Sequence, residues 1–191
     1  MSKNERIFLL SPGGGPGILA QVESLRRSLG FKARVILADS NPASGNLFLP
    51  EVDDKFQIPS CGDPRFVETM CGLLRREGVD FWYSGLDEEL PILSRNRPAI
   101  ETTGCKMLLP PPDTLEAALD KERTHSLTEG TILSPRTRFL RPGDDLEGLW
   151  DEFGGGLLFK VVDSRGGRNI FIPHDFDEHR LFSLRVAKMM E

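Results

Sequence analysis

Two stretches of this sequence combine residue types and spacings suited to chemistry. The first is an apolar run carrying one lysine, Leu157-Leu158-Phe159-Lys160-Val161-Val162, followed directly by Asp163-Ser164-Arg165-Gly166-Gly167-Arg168-Asn169. Burying an unpaired ammonium is expensive, so a single inward lysine on a greasy strand asks for an anionic partner. A polyphosphate would serve: lysine is a compact point charge, and the glycine loop behind it offers backbone N–H groups able to curl over phosphate oxygens. The competing explanation is a hairpin turn below a lysine that snorkels to water. The second stretch is Ser11-Pro12-Gly13-Gly14-Gly15-Pro16-Gly17. Within it, Gly15-Pro16-Gly17-Ile18-Leu19-Ala20 satisfies G-x-G-x-x-A, and Asp39 lies 22 residues beyond Gly17. Dinucleotide-binding units use that spacing, with pyrophosphate at the helix N-terminus and the acid on the ribose. Pro16 falls inside the fingerprint, however, and any open α/β sheet needs a tight turn at this point. A structural turn, or the wall of another substrate pocket, competes with the nicotinamide reading.

The elements that would position these residues follow from periodicity. Ile7 to Leu10 reads as a buried strand, and Ile18, Val22, Leu25 and Leu29 then recur at helical spacing up to a C-capping Gly30. Val35 to Ala38 and Lys55 to Ile58 are the next strands. Asp63-Pro64 opens a helix carrying Phe66, Val67, Met70, Leu73 and Leu74, which ends at Gly78. Asp80 to Tyr83 is a fourth strand, Asp87 to Glu101 a helix distorted at Pro91 and Pro98, and Met107 to Leu109 a fifth strand. Strands alternating with helices in this way predict βαβ units and an open, mostly parallel sheet with helices on both faces, a Rossmann-like α/β fold.

Pro110-Pro111-Pro112 interrupts the pattern, which predicts one domain over 1–112 and a second over 113–191. The second reads as a helix capped by Asp113-Thr114, a helix from Asp120 to Glu129, a strand over Thr137 to Leu140 and a helix over Asp145 to Phe153. Strands over Leu157 to Val162 and Ile170 to Ile172 then flank the glycine loop, and a helix from Asp177 closes the chain. That order implies a small α+β unit with antiparallel strands. Trp82, Tyr83, Phe159 and Phe171 read as core aromatics.

Composition narrows the function classes. Hydrophobic residues make up 39% and charged residues 28% of 191 residues, an ordinary globular balance. A net charge of −5 argues against nucleic-acid binding, and the basic pairs Arg26-Arg27 and Arg75-Arg76 read as solvated helix faces. Three cysteines, Cys61, Cys71 and Cys105, form no CxxC pair and read as buried or partly buried thiols of a reducing cytoplasm. Three histidines show no zinc-binding spacing, and the first apolar run is too short for a signal peptide or a membrane span.

Four stretches, taken in order, resemble the ATP-grasp superfamily, and within it the carbamoyl-phosphate synthase large subunit-like proteins. They are Ser11 to Gly17, Ser84-Gly85-Leu86-Asp87-Glu88-Glu89-Leu90, Leu119-Asp120-Lys121, and Lys160 with its Ser-Arg-Gly-Gly-Arg loop. The resemblance implies a pre-ATP-grasp domain followed by the smaller ATP-grasp subdomain. It puts the two ATP-contacting cations on Lys121 and Lys160 and the flexible phosphate-covering loop on Ser164, Arg165, Gly166 and Gly167. It puts substrate-side contacts on Gly13, Gly14, Gly15 and Glu88, although Glu88 and Glu89 together also read as dipole-stabilising acids in a helix first turn. Asp120 either caps its helix or orients Lys121. Val161 stands where the family commonly has proline, and Asn169 where it commonly has glycine. Members phosphorylate a carboxylate or bicarbonate to an acyl phosphate that an amine then attacks, a reaction that relies on positioning and charge neutralisation.

The implied cofactor is ATP. Mg2+ is implied for a full-length protein, with no ligands in this chain, because the family's adenine hinge and metal-binding acids lie downstream of a helix like Asp177 to Met190. The expectation is therefore the N-terminal part of an ATP-dependent carboxylate–amine ligase, ending in mid-fold, of undetermined oligomeric state. Charge-assisted hydrogen bonds to phosphate net on the order of 1.5–3 kcal/mol each. Association costs about 4–15 kcal/mol. Millimolar or weaker ATP binding and no turnover are the expected behaviour of residues 1–191 alone. The alternatives are a non-catalytic nucleotide-binding or regulatory module, and an NAD(P)-dependent oxidoreductase built on Gly15, Gly17 and Asp39.

Overall fold

A computed structural model of the chain describes residues 5–28, 30–131, 134–162 and 169–191. The chain forms two compact units, Met1–Glu116 and Ala117–Glu191. In the first, β1 (Glu5–Ser11), α1 (Ile18–Arg26), β2 (Lys32–Asp39), β3 (Asp54–Gln57), α2 (Phe66–Glu77), β4 (Phe81–Ser84), α3 (Glu89–Arg95), α4 (Arg97–Glu101) and β5 (Lys106–Met107) follow one another. Every strand pairing is parallel, in the order β3-β2-β1-β4-β5.

The apolar runs form these strands because both faces of the sheet are covered. Successive side chains alternate between the faces. Ile7 and Leu9 of β1 join Ile36 and Ala38 of β2 in a core with Phe66, Met70 and Leu74 of α2, Leu93 of α3 and Ile100 of α4. Leu10, Val35 and Leu37 point the other way, against Ile18 and Val22 of α1. Helix α2 stops at Gly78, whose φ of +62° is the left-handed geometry a C-terminal glycine accepts without strain.

The long helix expected over 87–101 is two helices. Asn96 ends α3 and begins α4, and Pro98 falls in the first turn of α4, where its missing N–H is harmless. Helix α1 ends at Arg26, capped by Arg27, before the predicted Gly30 stop. Arg26 is not a solvated face residue: its guanidinium reaches the carbonyl oxygens of Ala33 and Glu51 and the carboxylate of Asp53. Tyr83, expected in the core, is 40% exposed, because on β4 it alternates with the buried Trp82 and Ser84.

Helix α5 (Pro112–Leu119) spans the division between the units. The second unit continues with α6 (Lys121–Thr128), α7 (Leu149–Glu152), β6 (Phe159–Lys160), β7 (Ile170–Phe171) and α8 (Phe176–Met190). Strands β6 and β7 are antiparallel, with Phe159 opposite Phe171 and Lys160 opposite Ile170. Leu146, Leu149, Phe159 and Phe171 are its buried core, against which Leu140, Phe153, Phe182, Val186 and Met190 pack. His179 of α8 is fully buried there; Nε2 lies 2.8 Å from the Leu146 carbonyl, and the ring stacks on Phe159.

Thr137 to Leu140, predicted as a strand, forms none. Side chains hold this segment instead: Arg136 donates to the Glu152 carbonyl and Arg138 to the Glu152 carboxylate, while Leu140 packs on the core. The helix expected over Asp145 to Phe153 is confined to α7, with Asp145 accepting the Gly148 N–H ahead of it.

Candidate functional site

The direction of strand addition reverses between β1 and β4, and in open α/β sheets ligands bind outside the carboxyl ends of the strands at such a switch point. Ser11 ends β1, Ser84 ends β4, and the two stand in register. Both hydroxyls donate to Oε2 of Glu89, at 2.6 Å from Ser11 and 2.7 Å from Ser84. Each serine oxygen in turn accepts an N–H: Trp82 Nε1 donates to Ser11 Oγ at 2.9 Å, and the Leu86 amide to Ser84 Oγ at 3.3 Å. Glu89 is 3% exposed. Burial pushes its carboxyl above the usual range, the two serine hydrogen bonds oppose that shift, and the charge of Asp39 adds to it.

This corrects the expectation for the acidic pair. Glu89 is not a solvated first-turn acid but the hub of a buried network, and Glu88 is the more exposed of the two. The legible signal was serine closing two neighbouring strands, with a carboxylate five residues past the second.

The glycine turn beside this network is internally satisfied. The Gly13 amide donates to the Ala38 carbonyl at 2.8 Å, Gly14 to Asp39 Oδ2 at 2.6 Å and Gly15 to the Pro12 carbonyl at 3.0 Å. The Gly15 carbonyl accepts from Asn46 Nδ2 at 3.0 Å. A Cβ on Gly13 would come within 2.7 Å of Leu47 Cδ2, and one on Gly14 within 2.5 Å of Ser44 Oγ. Glycine is therefore required here by close packing. Asp39, 5% exposed, also accepts the Asn41 amide at 2.7 Å. The acid of the dinucleotide-like fingerprint and the amides of Gly13, Gly14 and Gly15 at its start are thus committed within the protein. What Gly13, Gly14 and Gly15 present outward is a fixed shape rather than a set of N–H donors.

In the second unit, Asp120 is a helix cap: its Oδ1 accepts the amides of Glu122 and Arg123 at 2.8 and 3.0 Å. Capping places Lys121 at the first position of α6, and its Nζ donates to the Val162 carbonyl at 2.7 Å. The α6 ammonium therefore lies at the end of the segment that carries Lys160. Lys160 itself is exposed: on β6 the alternation is Phe159 inward and Lys160 outward. The buried, unpaired cation anticipated from the apolar run does not exist, because the strand has only one covered face. Ser164, Arg165, Gly166 and Gly167 lie outside the described residues. Asn169, at the loop's exit, has φ +55°, the left-handed geometry that asparagine tolerates in place of glycine.

Lys121 Nζ thus bonds two residues beyond the exposed Lys160, and ammonium groups are of a chemistry that suits phosphate oxygens. Among the described residues no three His, Cys, Asp or Glu side chains are grouped to hold a metal ion. Cys61, Cys71 and Cys105 are free thiols, and burial drives Cys105 up to about 12. No helix among the described residues is long and apolar enough to cross a membrane.

Residues 13–108, half the chain, match the family described as PylC-like, N-terminal domain, and the chain belongs to that family. Solved structures share the fold. Biotin carboxylase from Campylobacter jejuni, solved as its β-γ-ATP complex, is 15% identical with a TM-score of 0.58, over 97% of this chain and 42% of that one. The L-amino acid ligase from Bacillus licheniformis is 18% identical, TM-score 0.57, over 96% and 42%. The biotin carboxylase domain of the Hydrogenobacter thermophilus 2-oxoglutarate carboxylase, with MgADP, ADP and bicarbonate, is 18% identical, TM-score 0.55, over 97% and 41%. The chain thus spans about two fifths of the length of these structures. No curated protein sequence matches it.

Proposed function

We propose that this chain is the N-terminal part of a cytoplasmic ATP-dependent carboxylate–amine ligase, of the carbamoyl-phosphate synthase large subunit-like kind. Its first unit carries the substrate side and its second unit part of the ATP site. The carboxylate or bicarbonate attacks the terminal phosphorus of ATP and ADP leaves. An amine then attacks the resulting acyl phosphate and inorganic phosphate leaves. Lys121 and Lys160 neutralise the polyphosphate in the first of these steps, with Ser164, Arg165, Gly166 and Gly167 as further ATP-binding residues. Gly13, Gly14, Gly15 and Glu88 contribute to the substrate wall.

The observation that carries the reading is the Lys121 Nζ to Val162 carbonyl bond, which brings the α6 ammonium to the strand end bearing Lys160. Membership of the PylC-like family and a fold shared with an L-amino acid ligase and biotin carboxylases support it. Without that bond, Lys160 on its exposed strand and Lys121 on α6 would be ordinary solvated surface residues.

Titrating 15N-labelled protein with ATP tests it. Saturable shifts are expected at Lys121, Lys160, Val162 and Asn169, with a Kd on the order of millimolar, since the few charged contacts barely exceed the association cost. Lys160→Ala should weaken binding about tenfold, the loss of one charge-assisted contact. Shifts confined to Gly13 through Ile18, or unchanged affinity in Lys160→Ala, would overturn the assignment.

A further inference from the structure

The hydrogen bonds at the switch point run in one direction, and that direction carries information about charge. A serine hydroxyl has a single proton. Ser11 Oγ accepts the Trp82 indole N–H and Ser84 Oγ accepts the Leu86 amide, so each serine's own proton points to Glu89 Oε2. Five groups from β1, β4, the following loop and α3 thus form one chain in which every donor converges on a single carboxylate oxygen. The O–H···O distances of 2.6 and 2.7 Å are those of charge-assisted bonds.

We propose that the Trp82–Ser11–Glu89–Ser84–Leu86 chain is a pH-sensitive clasp on the loop over residues 85–88, tight while Glu89 is ionised and slack once it is protonated. A proton on Oε2 would make the carboxyl the donor to one serine, whose hydroxyl must rotate away and give up its own bond to Glu89, leaving neutral bonds where two charge-assisted ones had converged. A proton on Oε1 would leave the geometry but turn both bonds into neutral ones of roughly half the strength. Either way the root of the loop carrying Asp87 and Glu88 loosens.

The titratable groups around Glu89 favour a switch over a static staple. Asp39 at the end of β2 and Glu88 in the loop are acids, and Cys61, between β3 and α2, is a thiol raised first by its own burial and then by Glu89 and Glu88. Among the described residues no basic side chain forms an ion pair with Glu89. Its carboxyl titrates above the ordinary glutamate range, chiefly because it is buried. A carboxyl raised in the folded state adds stability that is complete below the unfolded value of 4.5 and is lost as pH rises through the folded value. The ionised clasp is therefore a local tie maintained against a global cost, a combination that a neutral side chain would avoid. All three histidines belong to the second unit, so none confuses a titration of the first.

The test follows the Trp82 indole resonance and the Leu86 amide-exchange rate from roughly pH 4 to roughly pH 8. A single sigmoid at the indole is expected, with Leu86 exchange relative to its intrinsic rate about fivefold faster on the acid side, as charge assistance is lost. Glu89→Gln should abolish both. Ser84→Ala, which keeps the Ser11 arm, should shift the indole midpoint to higher pH, because one hydrogen bond to the charged form is gone. An indole that does not titrate, or a titration surviving in Glu89→Gln, would sink the proposal. So would a Ser84→Ala midpoint that stays put or falls.

Discussion

The two units treat residues suited to ligand chemistry in opposite ways. In the first, a five-stranded sheet covered on both faces absorbs them: the amides of Gly13, Gly14 and Gly15, the carboxylate of Asp39 and that of Glu89 all end on protein partners. In the second, a two-stranded sheet with one covered face leaves Lys160 outside, and Leu158, Ile172, Leu181 and Leu184 are exposed beside it or on α8. The turn that most resembled a nucleotide fingerprint is spent on holding the fold. The lysine that most resembled a buried structural problem stands exposed on its strand. Spacing nominates a residue, but the number of layers around it decides whether its polar atoms are used internally.

The comparison breaks most readily at Asp39. Replacing it with Ala removes the carboxylate that accepts the amides of Gly14 and Asn41 and should destabilise the first unit by about 2 kcal/mol. Urea unfolding, read by amide exchange in β1 and β2, measures this; a loss under about 1 kcal/mol would mean that water replaces the carboxylate and the turn is not internally held.

In the second unit, His179→Ala should cost about 2–3 kcal/mol by opening a cavity against Phe159 and Trp150 and leaving the Leu146 carbonyl only the longer contact from Ser183 Oγ. His179→Phe keeps the stacking and eliminates the Nδ1 atom that has no partner, so its cost should stay near 1 kcal/mol. Near-ultraviolet circular dichroism at Trp150 is the readout. Equal loss of exchange protection in β1 and β2 of His179→Ala would show that the two units unfold as one.

The smallest effect sharpens the contrast. Lys160→Ala should change thermal stability by under about 0.5 kcal/mol, because the side chain is exposed. Lys121→Ala should cost about 1 kcal/mol through its lost bond to Val162. A larger penalty at Lys160 than at Lys121 in thermal denaturation would reverse the roles assigned to the two lysines.

Much of the fold was legible in advance. Continuous apolar runs at Ile7–Leu10 and Val35–Ala38, helical spacing from Phe66 to Leu74 and a glycine stop at Gly78 are local signals, and local physics carries them into β1, β2 and α2. Thr137–Leu140 failed as a strand because apolar and β-prone residues need a ladder partner, which no local pattern supplies. Lys160 was misjudged for a related reason: an apolar run is the same string whether its strand is covered on one face or two.

By itself, the amino-acid order determined the alternation of strands and helices, the α/β class that follows from it and the tight turn after β1, because these rest on periodicity and turn residues within a few positions of one another. Only the tertiary structure decided that Asp39 braces the glycine turn, that Glu89 rather than Glu88 is the buried acid, and that Lys121 meets the strand of Lys160. Those outcomes depend on partners 25, 78 and 41 residues away along the chain, and the desolvation that makes a carboxylate or an ammonium consequential exists only once those partners close around it.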